Sequence, residues 1–408
     1  MPAVILVVFA LTYVGMAFGR VPGLKLDRTG IALLAVAVLL ASTAVDPAFV
    51  GAAVDPPTLL VLFGLMVVSA QLGHSGFYAE CAARIVRSQL TPPRLLGLTI
   101  LVAGGLSAVL VNDIVVFAMT PLLIAGLGRR GLDPRPFLLG RAAASNAGSA
   151  ATIIGNPQNI LIATVADIGF WQFFFVCAPP AAVALLVTYV VIARLWHIEL
   201  SAGIRPTEPE AVNSDREQII KGLAAVAALV FWFSAGLPRE VGALVVAALL
   251  LASRKVASRA TLAEVDWHLL VLFACLFVVT GAVAAIGTAG VVVDWLAGHG
   301  VLPDRLAVLA PLALVLSNTI GNVPAVVLLT TFWTEAGENV LIALGLLSTL
   351  AGNLLIVGSI ANLIVTERAA ALGVRLTFRD FARAGVPITA ITMVFAVAWL
   401  AFVGVLPL

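Results

Sequence analysis

Four short clusters of polar residues interrupt an otherwise apolar chain. They are Val111-Asn112-Asp113, Ser145-Asn146-Ala147-Gly148 continuing to Gly155-Asn156-Pro157-Gln158-Asn159, Ser317-Asn318-Thr319 with Gly321-Asn322-Val323-Pro324, and Gly352-Asn353 through Gly358-Ser359-Ile360-Ala361-Asn362. Amides and hydroxyls of this kind accept and donate hydrogen bonds without carrying charge. Where they flank broken helices, N–H dipoles at helix N-termini suit an anion or a neutral hydroxylated solute, and freed carbonyls suit a cation. Pro157 and Pro324 remove donors, and the glycines let backbone approach a ligand closely. The expected solute-binding residues are therefore Asn112, Ser145, Asn146, Asn156, Asn159, Ser317, Asn318, Asn322, Asn353, Ser359 and Asn362. The plainer alternative is that these amides only satisfy broken backbone. Their occurrence in four related clusters favours a shared cavity.

Two ionisable residues stand apart from this neutral set. Asp113 is the one acidic residue expected deep within an apolar segment, where a carboxylate is costly and usually functional, so it is the candidate to carry a coupling proton or cation. Its plainer role is as a helix cap at a chain reversal. Arg141 is the one basic residue inside an apolar run, and near the end of that run it is expected to snorkel towards the interface. Cys81, Cys177 and Cys275 are scattered without metal-ligand spacing, and the four histidines fall near segment ends. Neither a metal nor a cofactor is expected beyond a coupling proton or Na+.

The elements that must position these residues follow from composition. Of 408 residues 62% are hydrophobic and 11% charged, with mean hydropathy +1.12, which excludes a soluble protein. At roughly 20 apolar residues per crossing the chain could supply about ten to twelve spans. The longest polar stretch, 199–217, is too short for a folded soluble domain, and no Walker-type loop occurs, so no ATPase is built in. A net charge of +2 points to no nucleic-acid partner. Residues 1–18 lack a basic leader and a cleavage pattern and read as a first transmembrane helix rather than a signal peptide. Further apolar runs occupy 31–45, 57–73, 95–127, 137–168, 171–194, 218–235, 238–253, 267–284, 306–334, 339–366 and 384–404. Segments 74–90 and 286–300 are expected to lie along the interface and brace their neighbours.

Charge sets the orientation. Lys and Arg collect in the gaps 19–30, 74–94, 128–136, 194–221, 254–266 and 367–383, and only Arg239 and Arg305 fall in the other gaps. Basic gaps face the cytoplasm. Segment 95–127 has basic gaps at both ends, and 306–334 has base-poor gaps at both ends, so neither crosses the membrane. Both read as re-entrant helical hairpins, one opening to each side. Ten crossings remain, with both termini external.

The chain also repeats. Leu59-Leu60-Val61-Leu62-Phe63 recurs as Leu269-Leu270-Val271-Leu272-Phe273; Asn112 falls on Asn322 at the same offset of 210, and Gly155 and Asn159 fall on Gly358 and Asn362 at 203. Since 57–73 and 267–284 run in opposite directions, the halves are inverted, the architecture of secondary transporters with a midplane site at broken helices. The expected fold is an all-α polytopic membrane protein with inverted-topology repeats. Its expected divisions are N-terminal helices 1–56, a first repeat 57–196, a cytoplasmic loop with linking helices 197–264, and a second repeat 265–408.

Gly148-Ser149-Ala150-Ala151-Thr152-Ile153-Ile154-Gly155-Asn156-Pro157-Gln158-Asn159 resembles the Gly-Gly-x-Ala-Thr-x-Ile-Gly-x-Pro-x-Asn signature of the ion-transporter superfamily, which includes arsenite permeases, sodium-proton antiporters and citrate or dicarboxylate symporters. Asn112-Asp113 followed by Thr120-Pro121 is similar to the Asn-Asp and Thr-Pro element of the arsenite-permease branch. The resemblance covers about 57–404 and is nearest a bacterial anion-transporter branch. Ser-Asn-Thr, which the symporters carry at the first hairpin tip, is here Val111-Asn112-Asp113. In the second hairpin Ser317-Asn318-Thr319 stands about a turn before the tip.

The resemblance implies a non-enzymatic secondary active transporter in a bacterial inner membrane. Its solute would be a small oxyanion or an arsenite-like metalloid, driven by a proton or sodium gradient, and the dicarboxylate branch implies a homodimer. The competing readings are a citrate or dicarboxylate symporter, a sodium-proton antiporter, and a passive channel subunit served by a separate cytosolic ATPase.

Overall fold

In the computed structural model residues 1–19, 26–201 and 213–408 are described, and their regular elements are all helical. Arg20, Lys25 and Arg205 of the basic count, and part of the expected 197–264 loop, lie outside the described residues. The first ten helices are α1 Pro2–Phe18, α2 Arg28–Ala41, α3 Pro47–Ala53, α4 Pro56–His74, α5 Phe77–Arg87, α6 Pro92–Val109, α7 Asn112–Arg129, α8 Arg135–Ser149, α9 Pro157–Val165 and α10 Phe170–Leu195. The next ten are α11 Arg216–Ser234, α12 Arg239–Leu251, α13 Ser258–Ala263, α14 Trp267–Ala285, α15 Thr288–Gly298, α16 Leu306–Thr319, α17 Asn322–Phe332, α18 Glu338–Ala351, α19 Ile360–Ala371 and α20 Phe378–Phe402.

The second ten retrace the first in order, with a shorter hairpin: α16 and α17 have 14 and 11 residues where α6 and α7 have 18 each. The repetition therefore includes α1–α3 and α11–α13, outside the segments that the sequence pairs, and these triplets are exchanged: α1–α3 pack against α14, and α11–α13 against α4. Each broken helix counts as one crossing and each hairpin as none, so α6–α7 and α16–α17 leave ten crossings. Among the described residues seven helices are long and apolar enough to span alone. Of these α6 and α7 reach 18 residues each, but only Leu110 and Val111 separate them and they pack side by side.

Local chemistry starts these helices. Asp27, Asp46, Asp55, Asp215 and Asp266 each cap a following helix by accepting a backbone N–H. Proline at the first turn of α1, α3, α4, α6, α8 and α9 sits where an N–H would be unsatisfied anyway. Gly76 and Gly287, with φ of 78° and 77°, turn the chain into the short helices α5 and α15 at matching points of the two repeats. The short α3 and α13 lie in gaps that the hydropathy pattern leaves empty.

The centre of the molecule is the pair of helices before the breaks. Every residue from Pro136 to Ser149 of α8 and from Val340 to Ala351 of α18 is buried. Each hairpin's first helix packs on the pre-break helix of its own repeat, α6 on α8 and α16 on α18. Its second helix packs on the post-break helix of the other repeat, α7 on α19 and α17 on α9. The hairpins thus bind the two halves crosswise.

Candidate functional site

Helix α8 ends at Ser149, the backbone unwinds through Gly155, and α9 restarts at Pro157. Asn156 caps the new helix by accepting the Asn159 N–H at 2.9 Å. The freed carbonyls are satisfied locally: Asn159 Nδ2 donates to Ser149 O and Thr152 O at 3.2 and 3.0 Å. Thr152 Oγ1 accepts from the Ile154 and Gly155 N–H groups and donates to Ala108 O of the hairpin. In the second repeat Ser359 caps α19 through the Ala361 N–H, and Asn362 Nδ2 donates to Gly352 O and Leu355 O at 2.8 and 3.1 Å. Asn156, Asn159 and Asn362 thus bond the backbone at the breaks.

Close backbone approach makes this arrangement compact. A Cβ on Gly148 would overlap the Gly104 carbonyl of α6, and one on Gly155 would lie 2.5 Å from Ser149 O and 2.6 Å from Ser107 O. Only glycine allows these contacts without displacing backbone.

The two breaks meet at Asn146. Its Nδ2 donates to Asn353 Oδ1 at 2.9 Å and Asn362 Oδ1 at 3.1 Å, and its Oδ1 accepts from Ser359 Oγ at 2.9 Å. Asn112 Nδ2 lies 3.5 Å from the same oxygen, and the Asn112 N–H donates to Gly155 O at 3.1 Å, so the first hairpin tip joins this network. Asn353 Nδ2 reaches Ala143 O at 3.3 Å. Ser145 is hydroxyl-bonded to Ser107 at 2.7 Å, beside the network.

The second hairpin is held differently. Asn318 Nδ2 donates to Leu314 O and Ala351 O, while Asn318 Oδ1 faces Gly358, where a Cβ would lie 2.5 Å away. Asn322 accepts its neighbour's N–H at Val323, and Ser317 is fully buried with an unpaired hydroxyl. Among the described residues no hydrogen bond links Ser317, Asn318 or Asn322 to the Asn146 network. The structure therefore gathers nine of the eleven expected residues around the two breaks, Asn318 through Ala351 O and its contact with Gly358, and attaches Ser317 and Asn322 through packing of α16 and α17.

Several buried acceptors have no hydrogen-bond partner among the described residues: Asn112 Oδ1, Gln158 Oε1, Asn159 Oδ1 and Asn318 Oδ1, with the Ser317 hydroxyl. Each such group costs about 1–3 kcal/mol.

Asp113 stands in the first turn of α7 and is 7% exposed. It does not cap that helix, whose N-cap Val111 has no side-chain bond, and among the described residues its carboxylate makes no hydrogen bond or ion pair. Arg141 departs from expectation. It is fully buried rather than snorkelling, and its guanidinium donates to Thr120 Oγ1 at 2.5 Å and Val115 O at 2.8 Å. The reason is that α7 covers the face of α8 from which the side chain emerges, so no route to the interface exists.

Three participants escape the sequence reading. Thr349 Oγ1 accepts from both Asn156 Nδ2 and Gln158 Nε2, at 3.2 and 3.1 Å, linking the repeats a second time. Thr349 stands 203 positions after Asn146, so the repeat offset carried that signal. Ser107 likewise stands 210 before Ser317. The third, Arg28, lies beside the second hairpin tip: its Nη1 is 3.1 Å from where a Cβ on Gly321 would stand.

Broken helices joined at a polar centre between two inverted repeats, with a hairpin against each, define a membrane transporter. Residues 4–339 match the family model described as Citrate transporter, and the chain belongs to that family. The transporter Rv2685 of Mycobacterium tuberculosis is 29% identical over 96% of this chain and 98% of its own. The silicon efflux transporter LSI3 of rice is 25% identical, covering 94% of each. The crystal structure of the YdaH transporter of Alcanivorax borkumensis shares the fold, with a TM-score of 0.55 at 14% identity over 98% of this chain and 97% of that one.

Proposed function

We propose that this chain is a secondary active transporter that moves a small inorganic oxyanion or a metalloid such as arsenite by alternating access, driven by a proton or sodium gradient. The observation that carries the reading is the meeting of both helix breaks at Asn146, with neutral amide and hydroxyl groups from the two repeats around it. Solute held there contacts both halves at once, so a relative movement of the halves changes its access. The unpaired acceptors suit O–H donors such as those of arsenous acid, or a coupling cation. The resemblance to a silicon efflux transporter, whose named cargo forms a hydroxylated acid, supports the same class. Asp113, buried and without a partner among the described residues, is the ion-coupling residue. The protein resides in an inner membrane with both termini outside, as a homodimer.

Citrate symport is the second reading, favoured by the description of the matching family. Uptake into sealed proteoliposomes of arsenite, silicic acid, phosphate and citrate, with and without an imposed pH or sodium gradient, tests both. Gradient-driven accumulation of one of the first three supports the leading reading, and accumulation of citrate alone replaces it. Flux indifferent to either gradient ends it in favour of a passive pore.

A further inference from the structure

Arg28 and Arg239 open equivalent helices, α2 and α12, and they have different partners. Arg239 donates to Ala163 O and Ile168 O at the end of α9, at 2.6 and 2.5 Å, with Asp167 at 3.6 Å. Those carbonyls close a helix end at which the Ile168 N–H bonds Ala163 O; in the second repeat the Val374 N–H bonds Ala369 O in the same way. Arg28 does not use that end. Among the described residues its guanidinium makes no hydrogen bond or ion pair, although Thr29 beside it anchors the start of α2 to His268 O at 3.2 Å.

What Arg28 faces is the tip of the second hairpin. Gly321, at φ +96°, turns the chain into α17, and the space its missing side chain leaves lies 3.1 Å from Arg28 Nη1 and 3.7 Å from Cζ. Asn322 begins that helix and is 7% exposed, and its Oδ1 accepts the Val323 N–H at 3.0 Å. Its Nδ2 is then turned away from that N–H and has no partner among the described residues. A guanidinium and an amide N–H2 without a partner thus flank the Gly321 turn, while the backbone of the helix start is already spent, the Val323 N–H on Asn322 Oδ1 and the Ala325 N–H on Gly321 O, with no N–H on Pro324. The first tip is opposite in character, with Asp113 in the first turn of α7 and Val323 at the matching position of α17.

We infer that Arg28 is an anion-binding residue of the second hairpin tip, holding a charged oxygen of a small oxyanion or carboxylate together with Asn322. A guanidinium presents a planar pair of N–H donors that fits two oxygens of such a group and remains charged at any working pH. The inference rests on the transporter reading for what the bound anion is for, whereas binding itself is measured without a gradient.

The test is equilibrium binding to the purified full-length protein, followed by thermal stabilisation at constant ionic strength with phosphate, arsenate and citrate, and with uncharged arsenous acid as control. Wild type should show saturable stabilisation by at least one anion; response to phosphate or arsenate marks an inorganic oxyanion, and response to citrate alone a carboxylate. Arg28→Gln should weaken that binding roughly 10- to 100-fold, the worth of a charged hydrogen bond, while Arg28→Lys weakens it less. The response to arsenous acid should be unchanged. Should Arg28→Gln not fold, Asn322→Asp makes the same test by placing negative charge at the tip. Absence of saturable stabilisation in wild type, or anion midpoints unchanged in the variant, overturns the assignment. Failure of gradient-driven flux with intact anion binding would remove the transporter reading and leave this one standing.

Discussion

Asn159 and Asn362, 203 positions apart, make the same pair of hydrogen bonds. Each donates through Nδ2 to the carbonyls ten and seven residues before it, those of Ser149 and Thr152 in one repeat and of Gly352 and Leu355 in the other. In a membrane interior, backbone released from a helix must find partners within the protein, and one asparagine per break does this.

Replacing either asparagine with alanine should destabilise the break that it serves. Each substitution takes the amide donor from one break carbonyl that has no other, Thr152 O or Gly352 O, since Ser149 O keeps Asn156 Nδ2 and Leu355 O keeps the Gly358 N–H, and should cost about 1–3 kcal/mol. Thermal unfolding in detergent should show a loss for both variants, the larger for Asn362→Ala, because Asn362 Oδ1 also accepts from Asn146 Nδ2 whereas Asn159 Oδ1 has no partner among the described residues. A large loss at one position and none at the other would contradict the equivalence of the breaks.

Gly148 has no room for a side chain against the Gly104 carbonyl. Gly148→Ala must separate α6 from α8, and a strained core of this kind is destabilised by about 1–3 kcal/mol or more. The expected result is a lower yield of monodisperse protein and a lower unfolding temperature. By contrast Gly105→Ala, where nothing lies within 4 Å, should behave as wild type.

Asp113→Asn keeps the size of the side chain and removes its titration. Because Asp113 does not cap α7, the variant should fold normally. Solute exchange should persist while accumulation driven by a pH or sodium gradient is lost. Undiminished gradient-driven uptake would exclude Asp113 as the coupling residue.

The distribution of basic residues predicts that 128–136 and 367–383 face the cytoplasm and that 46–56 and 335–338 face outward. With Cys81, Cys177 and Cys275 replaced, single cysteines in these loops can be probed on whole cells with an impermeant thiol reagent. Only the outward pair should label. Labelling at 128–136 from outside would reverse the topology.

Hydropathy, basic gaps and proline-glycine breaks are local consequences of solvation by a bilayer, so the amino-acid sequence by itself determined the crossings, the two hairpins and the four polar clusters. It also determined the equivalence of Asn159 with Asn362, because a repeated break needs the same repair. The sequence did not determine which group each amide meets. Asn146 reaches Asn353 and Asn362 only because α8 and α18 are buried side by side at the centre. Arg141 lies near a segment end and yet is fully buried, because α7 covers it; Arg28 lies in a polar gap and yet stands at a hairpin tip, because α1–α3 cross to the other repeat. A side chain's partners are set by the helix packed against it, often two hundred residues away, and that packing is decided by shape and burial over the whole bundle rather than by any local pattern.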